Sequence, residues 1–247
     1  MNSLSLTDEL AFEILSGNIS LEEADKRLDE IDATPSPYGK SLTGIGFGMS
    51  TSAFAMLMGL GWLEILYSGL LGLMVYFWKL WSEHSKRVNL MLEPVASFCV
   101  GLAACAINYC TPSGLNIWLI ILSSLIILVP GLSLTMGLAE LSSRNMVSGT
   151  ARVMDAMMQL FKLYFGAFLG ISLGYQLFGV QELVPITKLT GWVPWLGVLM
   201  LSVGLVAIFR TRMKHVLWAI TSTFIAYGAS TLSSAYLENG LGAFVGA

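Results

Sequence analysis

Within "SGTARVMDAMMQLFKLYFGAFLG", residues 148–170, the side chains able to do chemistry recur at helical spacing. Arg152, Asp155, Gln159, Lys162, Gly166 and Gly170 are separated by 3, 4, 3, 4 and 4 positions. At about 100° per residue they share a sector of roughly 80° on one helix, leaving Met, Leu, Phe and Val on the rest. A carboxylate, an amide and an ammonium on one face can line a substrate or ion pathway. The plainer alternative is a structural network, in which Gln159 bridges Asp155 and Lys162 while the two glycines let helices pack closely.

A second feature lies just upstream, in "IILVPGLSLTMGLAEL". Pro130 cannot donate a backbone hydrogen bond, and in an exposed helix interior it costs roughly 3 kcal/mol. A break at Pro130 and Gly131 would free carbonyls and amides and create a new half-helix N-terminus with partial positive charge, a device that secondary transporters use to bind carboxylates and coupling ions. Ser133 and Thr135 are expected to help satisfy the freed backbone, and Glu140 to face Arg144 or Arg152. The alternative is an ordinary proline kink.

The elements that position these residues are membrane helices. Hydrophobic residues make up 55% of the 247 and charged residues 12%, and the mean hydropathy is +0.72; a soluble domain carries about twice that charge. Apolar runs near 42–60, 62–82, 94–111, 115–141, 151–179, 192–209 and 214–233 predict about seven spans. Their length and continuity exclude a barrel of short alternating strands. The predicted class is therefore an all-α polytopic bundle. In it a central Asp or Lys costs about 2.5–3.5 kcal/mol on insertion scales, so the polar face of residues 152–162 is expected to turn to the bundle interior or a water-filled cavity. Asp155 is expected to be the deepest acid of that span.

Orientation follows from the basic residues. Lys26, Arg27, Lys40, Lys79, Lys86, Arg87, Arg144, Arg152, Arg210, Arg212 and Lys214 fall on one side, Lys188 falls on the other, and Lys162 lies within a span. The positive-inside rule then makes the N-terminus cytoplasmic. Residues 1–40 form an acidic cytoplasmic segment: Ser20 and Glu23 make a capping box for a short helix to about Ile31, Gly17 could close an earlier one, and "TPSPYGK" reads as a stiff linker. Residues 41–180 read as a five-span domain and 181–247 as two further spans. The absence of a basic region before an early apolar run predicts that there is no cleavable signal peptide. Cys99, Cys105 and Cys110 form no CxxC pair, and with His84 and His215 they outline neither a metal site nor a disulfide framework. No P-loop, GxSxG or HExxH occurs, so nucleotide hydrolysis and hydrolytic chemistry are not indicated. No cofactor and no nucleic-acid partner is expected.

The stretch "LVPGLSLTMGLAELSSRNMVSGTARVMDA" resembles the threonine/serine exporter family. The family's pattern is an apolar run, a Pro-Gly, an acid about ten positions on, then a glycine and a small residue followed by arginine; here these are Pro130, Gly131, Glu140, Gly149, Ala151 and Arg152. "GNISLEEADKRLDEI" is similar to the family's cytoplasmic segment, and "GLGWLEILYSGLLG" to its second span, with Glu64 where the family more often has aspartate. The resemblance covers about 1–180; "WVPWLGVLM" and "TSTFIAYGAS" resemble, more weakly, the start of its second membrane half. Relatives usually have a longer N-terminal region and further spans, so a short form and a fragment are both open. Some members are split into two chains, and one split pair is associated with dicarboxylate export.

The resemblance implies a secondary exporter of small polar metabolites, threonine- or serine-like amino acids or a succinate-like dicarboxylate, driven across the inner membrane by the proton motive force. Pro130, Gly131, Arg152, Asp155, Gln159 and Lys162 are the expected site, with Glu64 and Glu140 as candidate proton carriers. The rival is a non-transporting membrane subunit, a homo-oligomer or the partner of a second subunit, in which Gly166, Gly170 and Gly174 only mediate helix association. An intramembrane enzyme lacks any supporting constellation.

Overall fold

The computed structural model describes residues 39–83, 88–89, 91–111, 114–179, 189, 191–209 and 213–236. The expected acidic helices and most of the linker before residue 39, and His84, Lys86, Arg87, Lys188, Arg210 and Arg212, lie outside them. The described residues form eight α-helices: α1 Lys40–Leu57, α2 Trp62–Ser82, α3 Leu92–Cys110, α4 Ile117–Leu125, α5 Gly131–Ser142, α6 Met146–Phe178, α7 Val193–Phe209 and α8 Met213–Tyr236. They contain no strand, as the continuous apolar runs require. Helices α2, α3, α6 and the stretch Val216–Ser233 of α8 are each long and apolar enough to cross a membrane, and α4 with α5 makes a fifth, bent candidate. The predicted seven segments are all helical, but α7, at 17 residues, is shorter than a full span, and Thr, Ser and Gly dilute the apolar residues of α1.

Two compact units divide the chain, residues 1–46 with 202–247, and residues 47–201. In the first, Gly46 lets α1 approach α7, where an added Cβ would stand 3.0 Å from Ala207 Cβ and from Gly204 O. The second contains the candidate site. Part of its core is Ala55, Met56, Leu60, Ile65 and Val193, against which Leu119, Leu196 and Met200 pack.

The expected break in the fourth span is present. Helix α4 ends in a 3-10 turn, Ile126–Leu128, and the helices on either side meet at 62°. Val129 is extended, as the residue before a proline prefers. Pro130, at φ −80° and ψ 55°, is the centre of an inverse γ-turn closed by Gly131 N donating to Val129 O at 2.9 Å. The break is the work of the proline: Gly131 is already the first residue of α5, and a Cβ there would meet nothing.

Helix α6 has 33 residues, roughly 50 Å at 1.5 Å per residue, against a hydrocarbon core of about 30 Å. Its C-terminal half runs parallel to α3. Gly166 lies on Pro94 and Ser97, Gly170 on Phe98 and Leu102, Gly174 on Cys105, and Gly101 of α3 on Ala167 and Ile171. Each contact is glycine against backbone or a short side chain, so the helices approach more closely than side chains of ordinary size permit. The N-terminal half of α6 precedes the start of α3 and pairs with α5 instead, where Gly137 faces Val153 and Gly149 faces Leu141.

Candidate functional site

The residues that carry the family resemblance clasp α5 to α6. Arg152 Nε lies 2.8 Å from Glu140 Oε1, and Ser148 donates its hydroxyl to Glu140 Oε2 at 2.6 Å. The turn between the helices closes with Asn145 N donating to Glu140 O at 2.9 Å, and Arg144 takes the left-handed conformation at φ 65°, a position where glycine is usual. Of the two partners expected for Glu140, Arg152 is the one engaged. Thr135 donates to Gly131 O and Leu132 O, both at 3.0 Å, which are helical carbonyls of α5. The expected role of Ser133 and Thr135 in satisfying the broken backbone is thus not what Thr135 does.

Glu64 is buried, at 8% exposure, and joins two helix starts. Its Oε2 accepts from Gly61 N and its Oε1 from Asn116 N, each at 2.7 Å. An acid in the first turn also complements the helix dipole of α2. Both oxygens are therefore held by backbone amides, a structural clamp between α2 and α4.

The polar face of α6 does not lie uniformly in the interior. Asp155 is exposed, Gln159 and Lys162 are half-buried, and Gly166 and Gly170 are buried. Asp155 sits on the half of α6 that runs ahead of α3, so it does not turn to the bundle interior as the polar face was expected to do. A 33-residue helix outreaches its 19-residue neighbour, and nothing on α3 covers its first turns. Gln159 Nε2 donates to Asp155 Oδ2 at 3.1 Å. The other end of the expected bridge belongs to a different residue: Lys162 Nζ lies 4.0 Å from Oε2 of Glu93, in the first turn of α3. That oxygen is buried and has no hydrogen bond.

Beyond Glu93 stands Ser97, fully buried, its hydroxyl donating to Glu93 O at 2.8 Å and packed where Gly166 passes. Asp155, Gln159, Lys162, Glu93 and Ser97 thus form a polar track that begins exposed and ends buried at the α3–α6 seam. Sequence reasoning missed Glu93 because it fell one residue before the apolar run. The signal that could have found it is Glu-Pro opening a helix, an acid at a helix N-terminus.

The broken span and this track are at the same level of α6 but on different faces. A cleft of about 400 Å³ beside the break is lined by Leu125 and Val129 on one side and Leu160, Leu163 and Tyr164 on the other. Asp155, Gln159 and Lys162 are not among its walls, which are almost wholly apolar. Neither Pro130–Gly131 nor the charged stripe lines this cleft. Among the described residues no group of three His, Cys, Asp or Glu could hold a metal, and Cys99, Cys105 and Cys110 form no disulfide.

A multi-pass helical membrane protein with an ion pair in its α3–α6 seam is the class these features define. The chain belongs to the ThrE threonine/serine exporter family, whose model matches residues 1–174. It is 29% identical over 184 residues to Pheromone-regulated membrane protein 10 of Yarrowia lipolytica, covering 72% of this chain and 15% of that one. A protein of the same name from Eremothecium gossypii is 26% identical over 206 residues, covering 80% and 27%. The threonine/serine exporter of Corynebacterium glutamicum is 27% identical over 175 residues, covering 70% and 36%. The chain spans well under half the length of these relatives. No solved structure matches it.

Proposed function

We propose that the chain acts in secondary export of small polar metabolites, threonine- or serine-like amino acids, from the cytoplasm across the inner membrane. The observation that carries this reading is the polar track from exposed Asp155 through Gln159 and Lys162 to the buried oxygen of Glu93. Lys162 falls within the apolar run of α6, and an ionisable group in such a segment is costly and is retained where substrates, ions or protons pass. Family membership supports the same activity. The excess of basic residues on one side supports a cytoplasmic N-terminus. Coupling to the proton motive force is part of the proposal, with the carboxylates of the track as carriers; Glu64 and Glu140, already held by strong partners, are less free to exchange protons.

Pro130 and Gly131 serve here as the bend that lets α5 fold back along α6, and Arg152 fixes that hairpin through Glu140. The dicarboxylate alternative remains for the test to decide. A second reading, a membrane subunit that associates with another chain or another copy without itself transporting, draws on the apolar walls of the cleft at the break. Counterflow of labelled threonine, serine and succinate in proteoliposomes separates these readings. Threonine or serine exchange, lost in Asp155→Asn with membrane insertion intact, is the expected outcome; no exchange of any of the three favours the subunit.

A further inference from the structure

We propose that Glu93 is a specificity-determining residue that makes the α3–α6 site select a zwitterion over a dicarboxylate. The inference rests on the exporter reading and deepens it. Five acidic residues fall among the described ones. Glu64 holds two backbone amides, Glu140 holds Arg152 and Ser148, Asp155 is exposed and holds Gln159, and Glu83 is exposed at the end of α2. Glu93 differs from all of them. Its Oε2 is buried without a hydrogen bond, and its cationic neighbour, Lys162 Nζ, stands at 4.0 Å, beyond hydrogen-bonding distance. The side chains are 20% and 35% exposed respectively, so the pair is largely sequestered.

A buried carboxylate oxygen facing an ammonium without a hydrogen bond has unmet capacity for a donor. The α-ammonium of an amino acid supplies that donor, and its carboxylate complements Lys162. Together the two residues carry no net charge, so a zwitterion enters without leaving either charge uncompensated. A succinate-like dianion would satisfy Lys162 and set its second carboxylate against Glu93, a like-charge opposition that rejects the wrong ligand. Lys162 alone would be an anion site. Glu93 turns it into an amino-acid site, and its position is fixed because Pro94 and Ser97 are packed directly on Gly166.

The test measures counterflow of labelled threonine and of labelled succinate by the full chain in proteoliposomes. Wild type is expected to exchange threonine in preference to succinate. Glu93→Gln, which keeps shape and removes charge, should raise the half-saturation for threonine at least tenfold and shift the threonine-to-succinate ratio at least tenfold toward succinate. A purely structural ion pair would lower both substrates by the same factor, and that result overturns the inference. If wild type exchanges none of threonine, serine or succinate, the exporter reading fails and takes this one with it. If wild type exchanges threonine and Glu93→Gln keeps its preference, the inference alone fails. Should Glu93→Gln not fold, Glu93→Asp keeps the charge and withdraws it by one methylene. It should raise the threonine half-saturation several-fold while still excluding succinate, and an unchanged half-saturation equally overturns the proposal.

Discussion

Replacing Gly170 by alanine tests the seam on which the candidate site is built. A Cβ at Gly170 would collide with Phe98 O and stand 3.0 Å from Leu102 N and 3.1 Å from Phe98 C. All three are backbone atoms, so no side chain can rotate away and α3 itself must move. Overpacking of this kind costs about 1–3 kcal/mol, and a clash with backbone belongs at the upper end, near 3. Alanine recovers about 1 kcal/mol of helix propensity over glycine. The net loss is about 2 kcal/mol, a fall in Tm of roughly 4–8 °C for a chain of this size. Gly131→Ala is the matched control, because its Cβ meets nothing and the same propensity gain should leave it neutral or stabilised by up to about 1 kcal/mol. Both variants would be purified in the same detergent and melted in parallel. A Gly170→Ala protein as stable as Gly131→Ala would refute close backbone packing of α3 on α6.

Glu64→Gln exchanges an oxygen that accepts a backbone N–H for an amide NH2 group that only donates, leaving Gly61 N or Asn116 N without its bond. A loss of about 1–3 kcal/mol is expected, read as a lower Tm with correct membrane insertion, and an unchanged Tm would remove the clamp between α2 and α4. On a cysteine-free background, Ser113→Cys should react in intact cells with a membrane-impermeant maleimide while Ser85→Cys is protected; the reverse pattern would invert the proposed topology.

The helical class, the break at residue 130 and the segments on either side of it were all legible from local properties. Apolar run length fixes a spanning helix, and the missing N–H at Pro130 removes a helical hydrogen bond and so at least kinks the helix there. The motif Pro130, Glu140, Gly149 and Arg152 could be read as a unit, though its job, clasping α5 to α6 through a 2.8 Å ion pair, could not. Periodicity placed Asp155, Gln159 and Lys162 on one face correctly because that face is a property of a single helix. It could not say where the face becomes buried, which depends on how far α3 extends alongside. Nor could it pair Lys162 with Glu93, since partners distant in the chain are chosen by packing. Here the glycines of α6 let α3 approach until the first turn of one helix meets the middle of the other. The sequence by itself determined which residues share a helix and which must avoid lipid; only the tertiary structure decided which charges meet, because that choice is made by the register in which two helices pack.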